Sequence, residues 1–165
     1  MANQNLCFQD VRKMFNYDQN LGVMSRKIKT GRNTHAGQQV GSDDMHGYKT
    51  VRIGTTSFKL HRLCWFYAHG HWPVGDIDHL NGDRSDSRLS NLRDVPRGVN
   101  LQNQRVATSQ NKSTGVLGVY PSNKRFTAAL SVDGKKKSLG TFDTVDLAHA
   151  AYLNAKREFH VGCLI

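Results

Sequence analysis

The residue pair that most restricts how this chain can fold is Asp133-Gly134, set between the alternating runs Arg125–Val132 and Lys135–Phe142. Asp-Gly suits the two positive-φ positions of a tight turn, so the two runs are predicted to pair as an antiparallel hairpin. A further short strand is expected over residues 115–120, with a turn over 121–124. After the hairpin, Val145, Ala148, Tyr152, Ala155 and Phe159 recur at helical spacing, behind a start capped by Asp143 or Thr144. Three strands and one helix enclose a small core, so such a unit gains little stability by itself. Strand parity turns Phe126, Ala128, Leu130 and Val132 toward the helix and Arg125, Thr127, Ala129 and Ser131 outward. With Leu139 also facing the helix, Lys136 and Ser138 share the outer face. Lys124, Arg125, Lys135, Lys136 and Lys137 then line a basic surface suited to phosphates. A solvated charged edge that discourages aggregation is the plainer alternative.

Upstream, the pattern predicts a short helix over 8–15, a turn over 18–22 and a strand at Val23–Arg26. Residues 31–47 are polar, glycine-rich and aperiodic, and read as a long loop. Tyr48, Val51 and Ile53, then Phe58 and Leu60, form two runs separated by Gly54-Thr55-Thr56, another hairpin signal. Leu60, Leu63, Cys64 and Tyr67 mark a buried helix face, which Gly70 and Pro73 end. Residues 105–113 lack periodicity and read as linker. The expectation is an α+β chain with a first module over 1–106, a linker over 107–113 and a second module over 114–165.

Charge narrows the partner. Lys plus Arg number 23 against 13 Asp plus Glu, a net +10, with an isoelectric point near 9.8. Such an excess calls for a polyanion, and nucleic acid is the leading candidate. No apolar run reaches membrane-spanning length, so no membrane partner is expected. The first fifteen residues lack the pattern of a secretory leader, which predicts a cytoplasmic protein, in a bacterial or phage-infected cell. Cys7, Cys64 and Cys163 are odd in number and far apart, which argues against a disulfide framework or a zinc knuckle.

The most chemical segment is Asp78-His79-Leu80-Asn81-Gly82-Asp83, followed by Ser90-Asn91-Leu92-Arg93 and then Asn100. Hydrolysis of a phosphodiester needs a base to activate water and a cation to neutralise charge on the phosphorane. Histidine suits the first task, its ordinary pKa lying near ~6.5. Hard oxygens such as those of Asp78 and Asn100 suit the second, because Mg²⁺ keeps positions open for phosphate and water. Neighbours on an extended strand point to opposite faces, so Asp78 and His79 share one site only if the backbone bends there. Read without that chemistry, Asp-His is a solvated turn and Asn-Gly ordinary turn material.

Across residues 59–100, Lys-Leu-His-Arg-Leu, Asp-Ile-Asp-His-Leu-Asn-Gly-Asp, Ser-Asn-Leu-Arg and the final Asn resemble the HNH family, particularly phage and intron homing endonucleases. Residues 21–58 are also similar to that group's N-terminal half. The resemblance implies a ββα-metal nuclease (a ribbon, a loop, a helix) that leaves a 5′-phosphate and a 3′-hydroxyl. It casts His79 as general base, Asp78 and Asn100 as metal ligands, and Asn91 as the residue that braces the loop. Asparagine at the last position makes the ligands all oxygen, which favours Mg²⁺ or Mn²⁺ over Zn²⁺. His61 reads as structural; His35, His46, His69, His71, His149 and His160 have no supporting spacing.

Residues 112–160 resemble the plant ethylene-response-factor (Apetala-type) DNA-binding domain. The likeness rests on Gly-Val-Leu-Gly-Val-Tyr from Gly115, Phe-Thr-Ala-Ala-Leu from Phe126, Ser-Leu-Gly-Thr-Phe from Ser138 and the segment 148–152. That family lays its sheet in the major groove, which casts Lys124, Arg125, Thr127, Ser131, Lys136 and Ser138 as contacts to double-stranded DNA. Leu117, Tyr120, Ser122 and Ser131 stand where several base-reading arginines would be, which leaves shape or phosphate reading. The combined expectation is a site-specific, homing-type endonuclease acting as a monomer, with a dimer left open. One site per chain implies nicking of one strand. A DNA-binding regulator with a silent site and a restriction-type enzyme are the alternatives.

Overall fold

A computed structural model describes residues 6–108 and 111–165. Its contacts divide the chain into two units, one ending at Pro96 and the other spanning Arg97–Ile165. The sequence boundary at 106 therefore shifts by about ten residues. The reason is local: Gln102 Oε1 accepts Gly162 N at 2.9 Å, and the carbonyl of Gln104 accepts Lys156 Nζ, so the end of the expected first module packs with the second. Ser109 and Gln110, part of the expected linker, lie outside the described residues.

In the first unit, α1 (Phe8–Met14) leads straight into β1 (Phe15–Asp18), which pairs antiparallel with β2 (Val23–Arg26). Sequence pattern extended the helix through Phe15; instead Phe15 opens the strand, fully buried, and Tyr17 alternates inward with it. The loop expected over 31–47 carries a two-residue strand, β3 (Ser42–Asp43), on the edge of β4 (Lys49–Ile53), which pairs with β5 (Thr56–Lys59). Helix α2 (Leu60–His69) follows without a break and ends at Gly70, whose φ of 78° is the left-handed stop. Val11, Phe15, Met24, Leu63 and Cys64 form the centre of the core, joined by Ile77 and Leu92 from the last ribbon. That ribbon is β6 (Asp76–His79) paired antiparallel with β7 (Leu92–Val95).

The second unit begins with α3 (Arg97–Gln102) and continues to β8 (Val119–Ser122), β9 (Arg125–Val132), β10 (Lys135–Phe142) and α4 (Val145–Phe159). The antiparallel sheet has the order β10-β9-β8, and α4 packs on one face of it. Asp133 and Gly134 have φ of 51° and 76°, the two positive values that a tight primed hairpin turn needs. Thr144 caps α4, its hydroxyl accepting Leu147 N at 3.2 Å. The core gathers Val119, Ala128, Leu130, Ala148, Tyr152 and Ala155, with Phe126 and Val132 packed against it, as the strand parity requires.

Three expectations for the sheet change. Its first strand starts at Val119, because Gly115 and Gly118 take φ of 73° and 70° and hold the preceding segment out of the ladder. Ala129 is buried rather than exposed; Lys136 lies across that face with its ammonium 4.4 Å from the Tyr120 ring centre. Lys135 and Lys137 alternate with Lys136 and do not share its face, and the Lys137 ammonium sits 3.7 Å from the Phe159 ring centre. The outer face therefore keeps Arg125, Thr127, Ser131, Lys136 and Ser138. A bulge at Leu139, where the register shifts between Ser138 and Gly140, lets both Leu139 and Phe142 reach the helix.

Gly118 has no substitute: a Cβ there would lie 1.9 Å from Tyr152 Cδ2. Gly118→Ala should cost about 2–5 kcal/mol, from left-handed strain plus overpacking. Gly115→Ala, at similar φ but with no atom within 4 Å, should cost only about 1–2 kcal/mol. Chemical denaturation of both variants checks the difference.

Candidate active site

The site is built around the loop that joins β6 to β7. Leu80 N donates to Asn91 O at 2.8 Å and carries the ribbon one pair beyond the strands. Asn91 is buried, and its side chain spans the loop: Oδ1 accepts Asn81 N at 2.9 Å and Nδ2 donates to Asp86 O at 2.9 Å. Asp86 in turn accepts Asn81 Nδ2 at 2.8 Å and Arg88 at 2.6 Å. The Arg88 guanidinium holds the Asp86 carboxyl down at about 2. From outside, Tyr17 donates its hydroxyl to Ser87 O at 2.6 Å and Leu89 N donates to Gln19 O at 3.0 Å. Gly22, in the β1–β2 turn, comes so close that a Cβ would stand 2.5 Å from Arg88 N. A rigid loop results.

His79 ends β6 and is buried, its ring centre 4.9 Å from that of His61 at 81° and 6.0 Å from Tyr48. His61, on α2, also meets Tyr48 at 5.2 Å. Burial is the main influence lowering the pKa of His79, opposed chiefly by the negative charge of Asp78. Burial also pushes His61 down to about 3, with His79 as the next cause, since two adjacent imidazoles resist charging together. Both rings are neutral at pH 7. His61 was read as structural from its position in Lys-Leu-His-Arg-Leu; only the packing of α2 on the ribbon brings it against His79, and no spacing rule signals that.

Asp78 pairs across the ribbon with Arg93, whose Nε and terminal nitrogen both donate to Oδ2, at 2.8 and 2.7 Å. The ladder runs Asp78↔Arg93, His79↔Leu92 without a shift. The side chains of Asp78 and His79 are both buried, and His79 is the last residue of its strand, where the regular ladder gives way to the loop. Asn100 sits on α3, in the second unit. The structure thus gathers Asp78, His79 and Asn91 on one ribbon and places Asn100 on the next element, in the order β6, β7, α3.

Among the described residues, no three of His, Cys, Asp or Glu cluster as a ready metal cage. The Asp78 carboxylate is a hard oxygen donor of the kind that suits Mg²⁺ or Mn²⁺, cations that keep most of their ligands as water and phosphate. The two bonds from Arg93 to Asp78 Oδ2 fix the orientation of that carboxylate. Tyr48, Arg84 and Lys59, to which sequence pattern gives no site role, also stand here. Lys59 lies 5.0 Å and Arg84 5.1 Å from the Tyr48 ring centre, and Lys59 pairs with Asp44.

Residues 58–102, which include this ribbon and loop, match the family described as HNH endonuclease. Among solved structures, the chain is similar to one titled "DNA binding and cleavage by the HNH homing endonuclease I-HmuI", at 19% identity and a TM-score of 0.45, over 95% of this chain and 93% of that one. No curated protein matches the chain.

The buried imidazoles generate a stability prediction. His61 binds a proton in the unfolded chain below about pH 6.5 and in the folded protein only near about 3. Stability should therefore be greatest above pH ~6.5 and fall as pH drops, by up to ~1.4 kcal/mol per unit from this one group. His79 acts in the same direction. Below pH ~4 the lowered carboxyls Asp44 and Asp86 contribute too, so the ~4–6.5 window isolates the histidines. Urea midpoints across that window should flatten in His61→Phe; an unchanged slope would show that His61 is not the buried neutral group.

Proposed function

We propose that this protein is a divalent-metal-dependent endonuclease that hydrolyses a phosphodiester of double-stranded DNA, with His79 as general base. One observation carries the reading: within the segment that matches the HNH endonuclease family, a neutral buried histidine closes β6 beside a loop locked by an asparagine. Neutral at pH 7, His79 accepts the proton of the attacking water, and the Asp78 charge beside it favours the imidazolium that forms. Asn91 fixes the loop, so the imidazole needs little reorganisation as the water is activated. Asp78 and Asn100 are the residues that would hold Mg²⁺ or Mn²⁺. When bound, the cation stabilises charge on the phosphorane and the leaving 3′-oxygen.

The second contact with DNA is proposed on the outer face of the β8–β10 sheet. Arg125, Thr127, Ser131, Lys136 and Ser138 are its residues, with Lys124 beside them in the β8–β9 turn, and Arg125 also pairs with the exposed Asp143 at 2.8 Å. The reading of this unit as an Apetala-type binding module is part of the proposal, and the surface it would use is one face of a three-stranded sheet packed on one helix. A homing-type enzyme that nicks as a monomer is the fuller form of the proposal. The Asp78–Arg93 pair supports a rival, a DNA-binding regulator whose carboxylate is held by arginine instead of a cation.

Nicking of a supercoiled plasmid with and without Mg²⁺ separates the two. The wild type should nick only with the metal. His79→Ala should lose at least ~100-fold in rate while its DNA affinity stays within about twofold. Asp78→Ala and Asn100→Ala should lose activity in part recoverable at high Mg²⁺. Binding without cleavage in the wild type would establish the regulator. Separately, Lys136→Ala should lower the slope of log affinity against log salt by about 1 if that lysine meets a phosphate.

A further inference from the structure

We infer that Arg84 is a phosphate clamp beside His79, a residue that grips the DNA strand at or next to the bond to be cut. The inference rests on the nuclease reading and names a substrate-positioning residue within that site. Every carboxylate around Arg84 is already engaged. Asp86 takes Arg88 and Asn81; Asp83 takes the backbone N and hydroxyl of Ser85, at 2.9 and 2.8 Å; Asp44 takes Lys59. Among the described residues Arg84 has no carboxylate partner, and its side chain is exposed.

It is nevertheless held. One terminal nitrogen donates to His46 O at 2.9 Å, and the guanidinium lies 5.1 Å from the Tyr48 ring centre. Tyr48 is the same ring that flanks His79 at 6.0 Å, so one aromatic side chain seats both the base and the cation. An arginine held through one terminal nitrogen and the face of a ring keeps Nε and its other terminal nitrogen for a bidentate anion. The anion that fits, within reach of the base, is a backbone phosphate. By contrast Arg88, four residues on, has its charge satisfied by Asp86.

The test uses the full chain and two assays. Plasmid nicking with Mg²⁺ reads cleavage; binding to calf-thymus DNA without divalent ions, from ~50 to ~300 mM KCl, reads phosphate contacts through the salt slope. Arg84→Ala should lower the nicking rate about 10- to 100-fold, the range of one charge-assisted hydrogen bond, and reduce the salt slope by about 0.9. Arg84→Lys should keep the slope yet recover only part of the rate, since an ammonium cannot fork. Arg88→Ala should change the slope less than Arg84→Ala does. Wild-type nicking and an unchanged slope in Arg84→Ala would overturn the clamp while leaving the nuclease intact. If the wild type never nicks, the nuclease reading fails, and a lost slope in Arg84→Ala would still mark a phosphate contact.

Discussion

The bridging of the β6–β7 loop by the Asn91 side chain is the interaction on which the site depends. Twelve residues of polar chain would otherwise move freely above the ribbon, and a buried amide without partners would be costly. Because Asn91 satisfies Asn81 N and Asp86 O at once, the loop gains a fixed shape from a single side chain. Every other charge in it then finds a place: Asp86 with Arg88, Asp83 with Ser85, Arg84 over Tyr48. The floor is equally constrained, since Gly22 and Tyr17 bring the β1–β2 hairpin directly against residues 87–89.

That rigidity determines the state of the histidines. A ring held against α2 loses water, and lost hydration outweighs the nearby carboxylates, so His79 stays neutral. His61 fills the space behind it and is itself too buried to take a proton near pH 7. The protein therefore keeps an unprotonated imidazole at the ribbon's end at the cost of two buried polar rings. Asp78, one residue away, is directed instead to Arg93.

The second unit solves a different problem, that of a small core. Alanines at 128, 148 and 155 let α4 approach the sheet closely, and Tyr152 presses on the backbone at Gly118. The buried Lys156 ammonium, its pKa lowered mainly by burial, donates to the carbonyl of Gln104 and binds the segment after α3 to this unit. Such contacts explain why residues 97–106, which sequence pattern assigned to the first module, belong with the sheet.

Local chemistry was legible in the sequence. The Asp133-Gly134 turn, the parity of β9, the cap at Thr144 and the stop at Gly70 follow from backbone preferences and side-chain period, which act within a few residues. The ribbon strand ending in His79 and the bracing asparagine were legible as spaced motif elements. What needed the fold was every relation between distant segments: His61 and Tyr48 against His79, Arg84 with nothing but a carbonyl and a ring, Ala129 beneath Lys136, and Asn100 in the other unit. Those depend on which faces pack together and on how much water is thereby excluded, and neither quantity is written in any short stretch of sequence.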